Sequence, residues 1–244
     1  MPSSPSLATR FRVEARTLVI DLGTPCLILS SAPRNGGVTR SRYILNHQVL
    51  PNPVCGLQSA RACACKNPTL HLGKVAASLG IRQRSVGLMT AVPMTQLVTR
   101  RMKADGLWLE GFLTVGVTNA MRAGQPARSH GRKRPPRAAG TINIILITNA
   151  RLAKGAMVEA VQVITEAKAA ALASQAVPTW TGLPGATGTG TDAVVVVSGV
   201  GKDGPSLRYC GTHTRMGELI GSLVARGVSA GLDRSKHWRL RRSG

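Results

Sequence analysis

Residues 141–148 read TINIILIT and residues 154–173 read KGAMVEAVQVITEAKAAALA, and the reading of these two stretches decides the class of fold. In the first, Ile142, Ile144, Ile145, Leu146 and Ile147 form a short, mostly β-branched apolar run, the pattern of a strand. In the second, Met157, Ala160, Val161, Ile164, Ala167 and Ala171 recur at helical spacing, beside a polar stripe of Glu159, Gln162 and Glu166. A loop over Val177–Ala186 leads to another buried strand, Ala193–Ser198. A strand, a long helix and a strand in that order point to an α/β chain.

Working outward toward the N-terminus, Leu107–Thr118 reads as a strand bent at Gly111 and Gly116, and Ser85–Thr90 as another. Leu70–Leu79 has helical spacing and stops at Gly80, a common helix-ending signal. Thr39–Asn46 reads as a short helix. Leu18–Ile20 and Cys26–Leu29 read as two short strands around a Gly23-Thr24-Pro25 turn, and residues 1–16 as a loose polar leader. Toward the C-terminus come a strand at Leu207–Cys210, a helix at Met216–Val228 and a basic tail over 231–244. Residues 17–230 then make a single domain, with an irregular Leu50–Thr69 loop and a basic linker over 124–140 inside it. The elements mix without strict βαβ alternation, and Gly188-Thr189-Gly190 precedes a strand rather than a helix, the wrong setting for a phosphate loop. The expected architecture is α/β, with layered mixed β-sheets flanked by helices.

Composition bounds the function. At 244 residues and 43% hydrophobic, the chain buries a sizeable core, which excludes disorder throughout. Its 32 Lys+Arg against 10 Asp+Glu give a net charge of +22, which raises a nucleic-acid partner as one reading. The charge gathers in blocks, however: Arg128, Arg132, Lys133, Arg134 and Arg137 in one, and Arg234, Lys236, Arg239, Arg241 and Arg242 in the other. Such blocks are usually solvated segments, and no recognition helix or RNA-stacking aromatic pattern accompanies them. Five cysteines at irregular spacing make no disulfide framework. Cys63-Ala64-Cys65, with Cys55 and His71 nearby, lacks the paired spacing of a structural zinc site, so no metal is expected. No run approaches the roughly 18 apolar residues of a membrane span, and the expected location is the cytoplasm.

Three polar clusters framed by glycine lie at strand ends, where sites tend to be built. They are Asn35-Gly36-Gly37, Gly116-Val117-Thr118-Asn119-Ala120 and Gly188-Thr189-Gly190-Thr191-Asp192-Ala193. Each alone is better accounted for by turn chemistry. His213, in Gly211-Thr212-His213-Thr214, precedes a helix whose first turn carries Glu218, and an imidazole there can shuttle protons near neutral pH. No Gly-x-Ser-x-Gly elbow and no His-Glu-x-x-His occurs, so serine-hydrolase and zincin chemistry have no support.

Taken in order, these clusters resemble the adenosylcobinamide amidohydrolase (CbiZ) family. The matching segments also include Leu29-Ser30-Ser31-Ala32, Gly87-Leu88-Met89-Thr90-Ala91, Gly140-Thr141-Ile142-Asn143-Ile144, Thr165-Glu166-Ala167-Lys168 and Gly217-Glu218-Leu219-Ile220-Gly221. The resemblance implies hydrolysis of the amide between the corrin ring and the aminopropanol arm of adenosylcobinamide, giving adenosylcobyric acid for cobalamin salvage. The corrinoid is then substrate and no cofactor is expected; association with further copies is left open. Asn35, Gly36, Gly37, Met89, Thr90, Asn143, Thr189, Thr191, Asp192 and Glu218 are the substrate-binding residues that it implies.

The run from Gly116 through Asn119, a linker, Thr141 opening a strand, a long helix and Thr189–Asp192 also looks like the ornithine acetyltransferase fold. That similarity implies that Thr141 becomes an N-terminal nucleophile by self-cleavage, with Asn119 in the oxyanion hole. Thr141 is equally a residue type that favours starting a strand. Water attack with His213 or Glu166 as base is the other route. An acyl-transfer enzyme of that fold and a basic nucleic-acid binder are the alternative functions.

Overall fold

The computed structural model describes residues 9–50, 67–125, 140–201 and 203–242. The elements are β1 (Arg10–Glu14), β2 (Thr17–Ser30), β3 (Gly37–Gln48), α1 (Pro68–Ser78), β4 (Ser85–Thr90), β5 (Val98–Ala104), β6 (Leu107–Val115) and β7 (Ala120–Met121). They continue with β8 (Ile142–Thr148), β9 (Arg151–Leu152), α2 (Lys154–Ser174), β10 (Gly188–Thr189), β11 (Ala193–Ser198), β12 (Ser206–Leu207) and α3 (Arg215–Arg242).

One large sheet runs in the order β4-β3-β2-β11-β8-β6-β5, with β1 also paired to β2. The β3–β4 and β8–β11 pairs are parallel and the others antiparallel, so the sheet is mixed, as the sequence implies. The sheet folds over itself at β2. Its register with β3 shifts between Asp21 and Cys26, where the bulge bends and twists the strand. The first half of β2 pairs with β1 and the second with β11. Contacts then join strands far apart in the order: the Phe11 ring of β1 meets Phe112 of β6 edge-on at 5.1 Å, and Asn46 Nδ2 of β3 donates to Thr114 Oγ1 of β6 at 3.1 Å.

Strand alternation sorts the side chains between layers. Ile145 and Ile147 of β8 and Val195 and Val197 of β11 face Leu18, Ile20, Ile44, Val86 and Leu88 across the space between the two halves of the sheet. Ile142, Ile144 and Leu146 point the other way, into a core shared with Met157, Ala160 and Ile164 of α2 and Ile220, Leu223 and Val224 of α3. On the opposite outer side, α1 covers Val19 and Leu45 with Ala76. The order of layers is α1, half-sheet, half-sheet, then α2 and α3.

Five sequence expectations need correcting, and one strand was missed. Residues 10–14 of the supposed leader form β1, whose alternating Phe11 and Val13 carry a strand period that the surrounding polar residues obscure. The two short strands are one, β2, because a bulge absorbs the Gly-Thr-Pro segment. Thr39–Asn46 lies inside β3, held in register with both β2 and β4, so tertiary pairing overrides the local helical spacing. The tail does not begin at 231, since α3 continues to Arg242 and buries Leu232. Strand β5 was missed, although Asp105 and Gly106, at φ 52° and 75°, supply the Asp-Gly hairpin signal that joins it to β6. Leu207–Cys210 reduces to Ser206–Leu207. Most of the Leu50–Thr69 loop and of the 124–140 linker lies outside the described residues.

Candidate functional site

Thr141 stands one residue before β8, on the face between the half-sheets, and is 5% exposed. Its Oγ1 donates to the Thr191 carbonyl at 2.8 Å and lies 3.4 Å from Asn143 Oδ1. Asn143, the next inward-facing residue, donates through Nδ2 to Asn46 Oδ1 at 3.0 Å and to the Met89 carbonyl at 2.8 Å. Asn46 passes the chain on to Thr114. A file of polar side chains thus runs from Thr141 into an otherwise apolar interior, each member hydrogen-bonded, as burial requires.

The peptide that follows Thr141 is gripped on both sides. The Thr141 carbonyl accepts from Gly116 N at 3.0 Å, and Ile142 N donates to Asp192 Oδ1 at 2.9 Å. Asp192 also accepts the Thr189 N–H on Oδ2 at 3.0 Å and the Thr189 hydroxyl on Oδ1. Its charge is met by Lys168 of α2, with Nζ 2.6 Å from Oδ2. On the other flank, Thr191 Oγ1 donates to the Gly140 carbonyl at 3.4 Å. A Cβ on residue 140 would lie 2.6 Å from Gly116 O and 2.8 Å from Asn119 Oδ1, so only glycine fits there. Asn119 Oδ1 is buried and has no hydrogen-bond partner among the described residues. The short β7–β10 ladder ties the Asn119 turn to the Thr189 turn.

Thr141, Asn119, Asn143, Met89, Thr189, Thr191 and Asp192 therefore share one place. The other expected residues lie elsewhere or do other work. Thr90 Oγ1 accepts from Val92 N at 3.0 Å and shapes the turn after β4. Asn35, at φ 53°, donates to the Ser85 carbonyl at 2.7 Å, and Gly36 packs against Ala32 O. It is Ser31 that reaches the Asp192 loop, exchanging hydrogen bonds with Val194. Gly37 opens β3.

Glu166 and Glu218 both line an open groove of about 330 Å³ between α2 and α3, beside Thr212 and Gly217. Glu218 is paired with Arg215 at 2.6 Å. His213 is exposed in the loop before α3. That loop is fastened to α2 by Glu159, which accepts from Cys210 N at 2.5 Å and Gly211 N at 3.1 Å. Glu159 is nine residues before Lys168, roughly 13 Å along the helix axis. The structure does not bring His213, Glu166 or Glu218 to Thr141.

Two participants were missed, Lys168 and Asn46. Lys168 falls four residues after Ile164 on the apolar face of α2, a charge at a core position, which was the available signal. Asn46 was hidden by the helical reading of its strand. The described cysteines are poor nucleophiles: burial, and then the Glu159 charge, push the Cys210 thiol up to about 12, and burial raises Cys26. Cys55, Cys63 and Cys65 lie outside the described residues, and no described helix is long and apolar enough to cross a membrane.

Among solved structures, a protein of Pyrococcus horikoshii superposes with a TM-score of 0.40 at 10% identity, over 96% of this chain and 81% of that one. The L-aminopeptidase D-Ala-esterase/amidase of Ochrobactrum anthropi superposes at 0.37 and 10% identity, over 93% and 82%. By sequence, an uncharacterised protein of Methanocaldococcus jannaschii is 33% identical over 231 residues, 88% of this chain and 85% of that protein. The adenosylcobinamide amidohydrolase of Methanosarcina mazei is 31% identical over 231 residues, 92% of this chain and 98% of its own length. The family model for adenosylcobinamide amidohydrolase matches residues 3–239, which takes in every strand and helix described above except the last turn of α3. A match of that extent, with a named relative aligned almost end to end, places this chain in the adenosylcobinamide amidohydrolase family.

Proposed function

We propose that this chain hydrolyses the amide joining the aminopropanol arm to the corrin ring of adenosylcobinamide, and that Thr141 is the nucleophile. Adenosylcobyric acid and aminopropanol are the products, and their place is cobalamin salvage in the cytoplasm. Family membership supports the reaction. The observation that supports the residue is the setting of Thr141: a buried hydroxyl at a strand start, beside a glycine carbonyl that a neighbouring hydroxyl polarises.

A threonine hydroxyl is a weak nucleophile until a base removes its proton. In the intact chain Thr141 Oγ1 adds to the Gly140 carbonyl, the peptide nitrogen leaves as the α-amine of Thr141, and water hydrolyses the resulting ester. The chain is then cut between Gly140 and Thr141, and the freed amine is the base that the hydroxyl lacks. In turnover Oγ1 attacks the substrate amide, and its proton passes through the α-amine to the departing aminopropanol. Water then releases adenosylcobyric acid from the ester. Asn119 presents Oδ1 to Gly140, and a flip of its side-chain amide puts Nδ2 there as a donor for the oxyanion, together with backbone N–H groups.

The test is incubation of the purified full chain with adenosylcobinamide, the corrinoids being separated by chromatography with mass detection. Adenosylcobyric acid is expected. Its absence, with acetyl exchange on an acetylated amino acid, would replace this reading by acyl transfer; salt-sensitive binding of DNA without turnover would replace it by nucleic-acid binding. Thr141→Ala is expected to abolish product and His213→Ala to retain it, and the reverse would favour direct water attack.

A further inference from the structure

We infer that Lys168 is a positioning residue for the hydrolysis, acting through Asp192 on the peptide that follows Thr141. The inference rests on the reading of Thr141 as nucleophile. A nucleophile that is also the first residue of its chain segment has a mechanical problem, because chain termini fray unless tied down. With the freed α-amine engaged as base, the backbone groups left to hold Thr141 after cleavage are its own carbonyl and the Ile142 N–H. Gly116 N holds the first at 3.0 Å and Asp192 Oδ1 the second at 2.9 Å.

Asp192 performs this at the end of the sheet with its side chain only 12% exposed. A carboxylate so placed is strongly unfavourable without a countercharge. Lys168 supplies it, 2.6 Å away and itself 10% exposed. The lysine is set among Ile164, Ala171 and Leu172 on the buried face of α2. The fit is close: a Cβ on residue 188 would lie 2.4 Å from Asp192 Oδ2 and 2.8 Å from Lys168 Nζ, so the pair closes only over glycine. Lys168 meets Thr141 only through Asp192 among the described residues, which makes it a positioning residue and not a catalytic one. The same contact gives Asp192 a task other than holding substrate.

The experiment uses the full chain with four changes: Lys168→Met, Lys168→Arg, the double variant Lys168→Met/Asp192→Asn, and Thr141→Ala as reference. The double variant leaves no unpaired buried charge and is expected to fold even if Lys168→Met alone does not. Turnover of adenosylcobinamide is followed across substrate concentration, and exchange of the Ile142 amide by mass spectrometry. In the double variant kcat is expected to fall about 100-fold, the scale of an ångström of misplacement. KM is expected to stay within about threefold, because uniform binding is untouched. The Ile142 amide should exchange faster, and Lys168→Arg should restore kcat to within about tenfold by keeping the charge. A folded double variant with wild-type kcat would overturn the inference, as would a loss carried wholly by KM. If that variant is fully active while Thr141→Ala is dead, the positioning roles of Lys168 and Asp192 fail and the nucleophile reading stands. If Thr141→Ala turns over normally, the nucleophile reading fails and takes this inference with it.

Discussion

Asn46 and Asn143 stand where alternation would place aliphatic side chains, on the face shared by the two halves of the sheet. Both are 1% exposed, and Asn143 donates to Asn46, which donates on to Thr114. A polar file of this kind fixes the relative height of the two half-sheets at the one place where Thr141 needs fixed neighbours. His47 is a different buried polar group, beneath α1 and outside the site. Its Nδ1 lies 2.8 Å from Thr17 Oγ1 and its ring centre 5.2 Å from that of His71. Burial, then the charges of His71 and Arg16, pull its pKa from 6.5 down to about 4. Burial and the Lys74 charge shift His71 the same way. Between pH 6.5 and about 4 the unfolded chain holds the extra proton, so stability rises with pH in that window. This contribution is complete above the unfolded value and is lost as pH falls through the folded one. Tm followed from pH 7 to pH 4 should therefore drop, and His47→Gln should flatten the drop; parallel curves for both proteins would clear His47 of the effect.

Among the elements, those whose period is carried by their own residues were legible. β8, β11 and α2 read correctly because an apolar run or a helical stripe needs no partner to be seen. β3 did not, because its strand character comes from pairing with β2 and β4 on either side. The three site segments were legible as strand-end turns, and the structure joins two of them at Thr141. The first is turned to Ser85 instead, a choice of partner that no local pattern encodes. Lys168 was half legible, as a charge on an apolar stripe, but its partner comes from a loop 24 residues on. β1 gives the direct test at this scale. Phe11 packs on Phe112, and Thr9 N donates to Glu110 Oε2 at 3.1 Å. Phe11→Ala should lower unfolding stability by about 1–2 kcal/mol, given that the ring is partly exposed. An unchanged urea midpoint would return residues 10–14 to the status of a dispensable leader.

At the scale of the molecule, α1 and the α2–α3 pair cover the two outer faces of a folded-over sheet, and Thr141 opens at the end where β8 and β11 start. The charge of +22 is not what builds that site, whose described core is one acid and one base balanced against each other. Thr141 is proposed to work as the first residue of a chain cut from Gly140. The measurement that tests this most directly is the intact mass of the catalytically active protein beside that of Thr141→Ala. Active protein made of two pieces ending at Gly140 and beginning at Thr141, with an uncut and inactive variant, is the expected result. A single full-length mass in a fully active preparation would contradict it.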